Sequence, residues 1–357
     1  MSALVFLNAC STGAYFWQAT TGHLQVLAAS EKIDRVLLSA DTSEKLRTQL
    51  QYVQDIRKFS IEALALPDNR SYTTYADLNR PYVVWNVIAS PVDGLNLKTW
   101  CFPFTGCISY KGFYQERDAL ELGNQLKADG LDVAVLGVPA YSTLGFTPDP
   151  VLNTFINYPA GELARLIFHE LAHQVVYIAD DTMFNESFAT AVEELGVTVW
   201  LAQPGRADLK LQYENFDQRR VAFRALLAQA QADLKVIYEN KDQLRKDEVL
   251  DAKKARFDLL RADYGKLKAS WGGWAGYDRF MAEDLNNAKL GVSGLYTNYV
   301  PAFKALFLKC DGSFPRFYAA VEALGELPAD KRNTVLDNLV DVTTQNASTK
   351  ANSGTCL

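Results

Sequence analysis

The apolar positions in the first half of the chain alternate between helical and strand-like spacing. Residues 14–66 predict two helices, the second from about Ser43 to Leu66, where a Pro-Asp-Asn turn follows. Runs rich in β-branched and aromatic residues predict strands at 82–88, 99–102, 107–110 and 132–138. A helix is expected at 115–129, before the last of these strands. The segment 139–145 then has the composition of an extended, partly exposed chain.

Helical spacing dominates after residue 145. Within 207–270, apolar residues step by seven and then by four and three, which predicts a heptad seam on a long helix. The charged run at 245–248 interrupts the seam before it resumes, so an antiparallel helical hairpin is the simplest interpretation. Its charges form a solvated face or, alternatively, a docking arm for a partner. The predicted class is therefore α+β and predominantly helical. The predicted divisions are an N-terminal segment, an α+β region, the hairpin, a C-terminal helical region and a tail, at 1–13, 14–206, 207–270, 271–345 and 346–357.

Composition narrows the class of protein. Of the 357 residues 48% are apolar, which excludes a disordered chain, and 36 basic against 42 acidic residues give a net charge of −6. A mildly acidic chain is not expected to bind nucleic acid. No apolar run approaches the roughly 20 residues that a membrane-spanning helix requires. The chain has only three histidines, and two of them, His169 and His173, stand four positions apart.

The N-terminal segment contains a lipobox-like run, Leu7-Asn8-Ala9-Cys10. An apolar stretch and a small residue before a cysteine are typical of bacterial lipoprotein signals, so 1–13 is expected to be the remnant of a signal and anchor. Diacylation of Cys10 would hold the protein on a membrane in the periplasm. The alternative is an ordinary buried N-terminal segment.

Two further cysteines flank a turn. Cys101 and Cys107 bracket Phe-Pro-Phe-Thr-Gly between two predicted strands. A disulfide across this hairpin is favoured and suits an oxidising compartment. The alternative is a pair of free, half-buried thiols.

The most informative motif lies at 161–174, GELARLIFHELAHQ. Its apolar residues recur at three- and four-residue steps, so it predicts a helix with one buried face. On that helix His169 and His173 project to one side, with Glu170 next to the same face. His-Glu-x-x-His at this spacing is typical of zinc peptidases, because two imidazoles suit zinc and the carboxylate takes a proton from water. The alternative is two histidines hydrogen-bonded in a packed core.

A catalytic zinc site needs a third protein ligand. The metzincin continuation is excluded, since Val176 and Ala179 stand where a Gly and a His would be required, and His23 lies far upstream. A carboxylate on the following helix is therefore expected, and Glu186 in its first turn is the candidate. Glu193, further along that helix, is expected to support the ligands or face solvent.

HELAH at 169–173 followed by NESFA at 185–189 resembles the gluzincin metallopeptidases. The wider chain resembles the putative aminopeptidase family of predicted bacterial periplasmic lipoproteins. The stretches that carry this resemblance are LPDNRSYTTYADLNRPYVVWNV at 66–87, KTWCFPFTGCISYKG at 98–112, GVPAYSTLGF at 137–146, NNAKL at 286–290 and YVPAF at 299–303. The resemblance implies zinc-dependent peptide hydrolysis, in a gluzincin-like fold with a small sheet beside the HExxH helix.

The expected mechanism assigns roles to the motif residues. Zinc held by His169, His173 and Glu186 activates water, and Glu170 is the general base. In gluzincins a downstream Tyr or His stabilises the oxyanion, and because no histidine follows the motif, Tyr296 or Tyr299 is expected here. The alternative for both tyrosines is an ordinary place in the core.

Substrate binding is predicted at two places. The segment 140–144, with Tyr141 and Ser142, suits an edge that pairs with the peptide main chain. Asn286 and Asn287 are candidates to bind substrate amides. No carboxylate stands out for a free substrate amine. The predicted function is a zinc metallopeptidase, an aminopeptidase by resemblance; the alternatives are a zinc endopeptidase and a non-catalytic zinc scaffold of the cell envelope.

Overall fold

The computed structural model describes residues 3–102, 106–295, 299–345 and 356. Helices predominate in this part of the chain, which gives the α+β, mainly helical class expected from the sequence. In chain order the helices are α1 (Ala3–Ala28), α2 (Ile33–Leu38), α3 (Glu44–Glu62), α4 (Glu116–Ala128), α5 (Ala160–Ala172), α6 (Thr182–Leu201), α7 (Ala207–Glu239), α8 (Lys246–Ser270), α9 (Asp278–Ala282), α10 (Asn287–Leu295), α11 (Val300–Lys309), α12 (Phe314–Gly325) and α13 (Ala329–Gln345).

The strands are short and lie before α5. They are β1 (Ser30–Lys32), β2 (Thr74–Ala76), β3 (Val84–Pro91), β4 (Trp100–Phe102), β5 (Gly106–Ile108), β6 (Lys111–Phe113), β7 (Leu131–Val138) and β8 (Val151–Leu152). An antiparallel sheet has the order β6-β3-β7, with Asn86 opposite both Gly112 and Leu136. A second sheet has the order β1-β2-β8, and β4 pairs with β5 as a hairpin. The predicted strands at 82–88, 99–102, 107–110 and 132–138 correspond to β3, β4, β5 and β7.

The segment expected as a substrate-pairing edge, 140–144, belongs to no strand of the structure. A turn begins at Leu144, which adopts a φ of 55°. Two local hydrogen bonds stabilise that turn: the Leu144 amide donates to the Ser142 hydroxyl, and the Thr143 amide donates to the Asp149 carboxylate. Residues 140–143, before this turn, lie outside the regular elements, and their pairing with a peptide main chain stays a prediction.

The main core forms where α5 packs along α6, between α3 on one side and α11 and α12 on the other. Phe168 of α5 and Phe188 of α6 are fully buried there. Gly196 permits the close approach, because a Cβ at this position would lie 2.7 Å from Leu64 and 2.9 Å from Phe168. The helix that carries the histidine motif is thus fixed on several sides.

The long helices α7 and α8 pack against each other as the predicted hairpin. Phe223 and Leu234 of α7 and Leu260 of α8 are buried along the seam, and Arg256 Nε donates to Asp233 across it at 2.7 Å. The buried residues Phe223, Leu227, Ala230 and Leu234 of α7 step by four, three and four, as the heptad spacing of the sequence predicts.

Helix α1 begins at Ala3 and continues past residue 13, and the side chain of Cys10 lies outside the described residues. Within the described residues, no helix combines the length and apolar character that crossing a membrane requires. Cys101 is joined to Cys107 by a disulfide across the β4–β5 hairpin, and Cys310 is joined to Cys356.

Candidate metal centre

Two consecutive helices position the candidate metal ligands. The buried stripe of α5 fixes His169 near its end, and His173 is the C-cap residue. Glu186 lies in the first turns of α6, which begins where the Asp181 carboxylate accepts a hydrogen bond from the Phe184 amide. Between the helices the Asn185 side chain bonds to both the amide and the carbonyl of a single loop residue, Ile178.

The three side chains converge on one point. Nε2 of His169 lies 3.2 Å from Nε2 of His173 and 3.3 Å from Oε2 of Glu186. Nε2 of His173 lies 3.8 Å from Oε1 of Glu186. One ligand atom from each residue lies within 4.8 Å of the others. All three side chains are at most about one-eighth exposed.

This donor set fits a divalent cation. Two imidazoles and one carboxylate are the ligand types of catalytic zinc sites, which leave one position open. The electrostatics agree: burial alone would lower the pKa of His169, but hydrogen bonds to Glu186 and Glu193 raise it to about 10. Burial lowers the pKa of His173 to about 4. These pKa shifts favour a positive charge at His169, next to the carboxylates of Glu186 and Glu193, and a neutral imidazole at His173.

Glu193 contacts His169 at Nδ1, the ring nitrogen that does not face the other two candidate ligands. Its Oε2 lies 3.0 Å from Nδ1 of His169, and its other oxygen accepts a hydrogen bond from Arg165. Burial opposes its ionisation, but Arg165 and His169 lower the pKa of Glu193 to about 2. Glu193 lies seven positions after Glu186, two helical turns on, and this spacing in the sequence identifies it as a group on the same face of α6.

Glu170 is half-buried beside the candidate ligands. Burial is the largest influence and raises the pKa of Glu170 to about 7; the charges of Glu186 and Asp149 act in the same direction, and His169 opposes them. A carboxylate with a pKa near the working pH is suited to accept and return a proton.

The three candidate ligands and Glu170 line a cavity of about 420 Å³. Tyr141 and Ser142, which the sequence nominated for substrate binding, also line this cavity. The His23 imidazole lies 2.7 Å from the Tyr141 hydroxyl and so fixes its position. The third histidine of the chain thus acts on the cavity indirectly.

The structure describes only one of the two downstream tyrosines. Tyr296 lies outside the described residues. Tyr299 does not line the cavity; it packs against the main core, and its amide donates to the Ser187 hydroxyl at 3.3 Å. Tyr110 and Tyr177 line the cavity instead. Burial raises the pKa of Tyr110, and the charge of Glu186 raises it further. Tyr110 lies upstream of the HExxH helix, between β5 and β6, so the expectation of a downstream residue did not include it.

Asn286 and Asn287 are also placed away from the cavity. Both are buried at the start of α10. The side-chain amide of Asn286 donates to the Val133 carbonyl of β7. The side-chain amide of Asn287 donates to the carbonyls of Pro91, Val92 and Gly94. Their polar groups satisfy buried backbone carbonyls, so the predicted contact with substrate amides is wrong.

A family model described as putative aminopeptidase matches residues 14–336 of the chain. The matched region includes the candidate ligands, Glu170 and the cavity. No curated protein and no solved structure matches the chain significantly.

Proposed function

This chain belongs to the putative aminopeptidase family, and we propose that it hydrolyses peptide bonds with a zinc ion held by His169, His173 and Glu186. The observation that carries the proposal is the convergence of these three side chains at one end of a cavity that Glu170 also lines. The family name supports peptidase activity, and the two-imidazole, one-carboxylate set supports zinc.

We assign the chain to the gluzincin type of architecture. The third ligand comes from α6, directly after the HExxH helix, and a small antiparallel sheet lies before both in the chain. Glu193, bonded to the ligand His169, supports a catalytic centre, because carboxylates that orient a ligating imidazole tune a metal.

Individual residues of the chain have separate roles in the proposed reaction. When bound, zinc acts as a Lewis acid and makes water a competent nucleophile near neutral pH. Glu170 takes the proton from the attacking water and delivers it to the leaving amine. Tyr110, or Tyr177 beside it, donates its hydroxyl proton in a hydrogen bond to the oxygen of the scissile carbonyl. Burial keeps both tyrosines protonated for this task.

The alternatives differ in which substrate end they recognise. An aminopeptidase binds the free N-terminal amine of its substrate, whereas an endopeptidase also cleaves peptides whose N-terminus is blocked. A non-catalytic scaffold has no use for a carboxylate at Glu170, where ionisation is costly. The aminopeptidase assignment rests on the family name, so the endopeptidase is the second candidate.

Elemental analysis and peptide digestion test the proposal together. Protein purified without chelator is expected to carry close to one zinc per chain. It is expected to cleave peptides with a free N-terminus, to lose this activity with a chelator and to regain it with zinc. Peptides with an acetylated N-terminus separate the aminopeptidase from the endopeptidase. Metal-free protein of full activity would contradict the proposal.

We also propose that the protein is a periplasmic lipoprotein anchored through Cys10. The disulfides Cys101–Cys107 and Cys310–Cys356 support an oxidising compartment. The native protein is expected to fractionate with membranes, and Cys10→Ser is expected to release it. A wild-type protein in the cytosolic fraction with free thiols would contradict this location.

A further inference from the structure

The cavity that contains the metal cluster has a second, chemically different part. Its volume of about 420 Å³ falls within the range of roughly 300–1,000 Å³ that small-molecule sites occupy. His169, Glu170, His173 and Glu186 form one end. Much of the remaining wall is apolar and comes from α1, the β4–β5 hairpin, the sheet and the turn after β7: Tyr15, Phe16, Phe102, Ile108, Val138 and Leu144.

Aromatic packing supports this wall. The ring of Tyr15 stacks on Phe102 with centroids 5.4 Å apart and meets Phe113 edge to face at 5.6 Å. The hairpin that carries Phe102 is held by the Cys101–Cys107 disulfide and by the Cys107 amide, which donates to Asp180 at 2.6 Å. A wall built in this way is formed before a ligand arrives.

None of the described residues that form this apolar wall is charged at neutral pH. Burial raises the pKa of Tyr15 to about 12 and that of Tyr114 to about 12, so both phenols stay neutral. The carboxylates among the described lining residues are Glu170 and Glu186, both at the metal end. Lys111 lies next to the wall, with its Nζ 4.4 Å from the centroid of the Tyr15 ring. A charged side chain placed against the apolar part of the wall would lose its hydration.

We propose that this apolar wall binds the side chain next to the scissile bond, and that the preferred peptides carry a large apolar residue there, aromatic or long aliphatic. The inference rests on the proposed peptide hydrolysis and names the substrate class for the same cavity. Burial of a Phe or Leu side chain is expected to favour such a peptide over its Ala counterpart by at least about tenfold.

Binding and turnover are measured separately. The zinc-loaded Glu170→Gln variant is titrated calorimetrically with tetra-alanine peptides in which each position in turn is Phe, Leu, Asp or Lys. The wild type digests the same peptides, and mass spectrometry identifies the cut bonds. Ala19→Phe narrows the cavity from α1, and Ala14→Phe, on an exposed position of the same helix, is the matched control.

The expected result is that one Phe or Leu position binds and is cut at least about tenfold better than Ala, Asp or Lys there. Ala19→Phe should remove most of this preference, and Ala14→Phe should leave it intact. Equal affinity for all side chains, or an unaltered preference in Ala19→Phe, would overturn the inference. Cleavage without side-chain preference would overturn it while peptide hydrolysis stands. Selective binding with no cleavage in the wild type would support the pocket and refute the proposed hydrolysis.

Discussion

The carboxylate of Glu193 lies 3.0 Å from Nδ1 of His169. This contact directs the other ring nitrogen, Nε2, toward Glu186, 3.3 Å away. A carboxylate this close to Nδ1 favours the tautomer with its proton on Nδ1 and restrains the plane of the imidazole. Glu193 is thus a positioning residue that acts on the candidate metal through His169.

Glu193→Gln is expected to weaken metal binding by about 10- to 100-fold, because an amide orients the imidazole less firmly than a carboxylate. Competition with a chromophoric zinc chelator measures the affinity. Glu194→Gln is the matched control: Glu194 is the next residue on α6 and pairs with Lys304 and Arg224. Equal affinity in both variants would show that Glu193 has no role at the metal.

Glu170→Gln separates proton transfer from metal binding. Glu170 is not among the converging ligand atoms, so zinc content and fold should stay nearly unchanged. Turnover should fall by roughly 10²–10⁴-fold, the contribution typical of a general acid–base group. His169→Ala should instead lose metal and activity together. Turnover at the wild-type rate by Glu170→Gln would refute the assigned base even with zinc present.

Local spacing explains which parts of the site the sequence could predict. His169, Glu170 and His173 follow from one helix, because positions four apart share a face. Glu186 follows from chain order, since it begins the next helix. Tyr110 lies between β5 and β6, far upstream of α5 in the chain, and it lines the same cavity only in the assembled fold, which no short-range pattern encodes.

The wrong prediction at Asn286 and Asn287 has the same origin. Two polar residues before an apolar helix suggest a binding site, yet here they pair with backbone carbonyls left open by the strand ends and the loop after β3. The demand for those hydrogen bonds arises in the assembled fold. By contrast, the α7–α8 hairpin could be predicted from the sequence, because its buried positions recur at regular steps within each helix.

Tyr110→Phe tests the stabiliser of the carbonyl oxygen. Loss of one such donor is expected to lower kcat by about 10²–10³-fold while the ring still fills its place. Tyr177→Phe examines the neighbouring candidate. Tyr299→Phe is the control, because this side chain packs on the core outside the cavity, and its kcat should change less than about threefold. A large loss in Tyr299→Phe with none in the other two would restore the downstream assignment.

The segment before the Leu144 turn, which carries Tyr141 and Ser142, is bonded to a buried carboxylate. Asp149 is 3% exposed and accepts hydrogen bonds from the Thr143 amide at 3.2 Å and from the Gln174 side chain at 3.0 Å. Gln174 directly follows His173, so Asp149 links the turn to the end of α5. Burial raises the pKa of Asp149 from 3.8 to about 6, although these hydrogen bonds oppose the increase.

This raised pKa predicts a stability change with pH. In the unfolded chain Asp149 loses its proton near pH 3.8, whereas the folded protein keeps it until about pH 6. The folded state therefore binds more protons between these values, and the contribution of Asp149 to the free energy of unfolding falls as pH rises through that window, by about 3 kcal/mol at most. Asp149→Asn cannot ionise and lacks this dependence. Urea unfolding from pH 4 to 7.5 should show the wild type losing stability relative to Asp149→Asn as pH increases, and a constant difference between them would contradict the prediction.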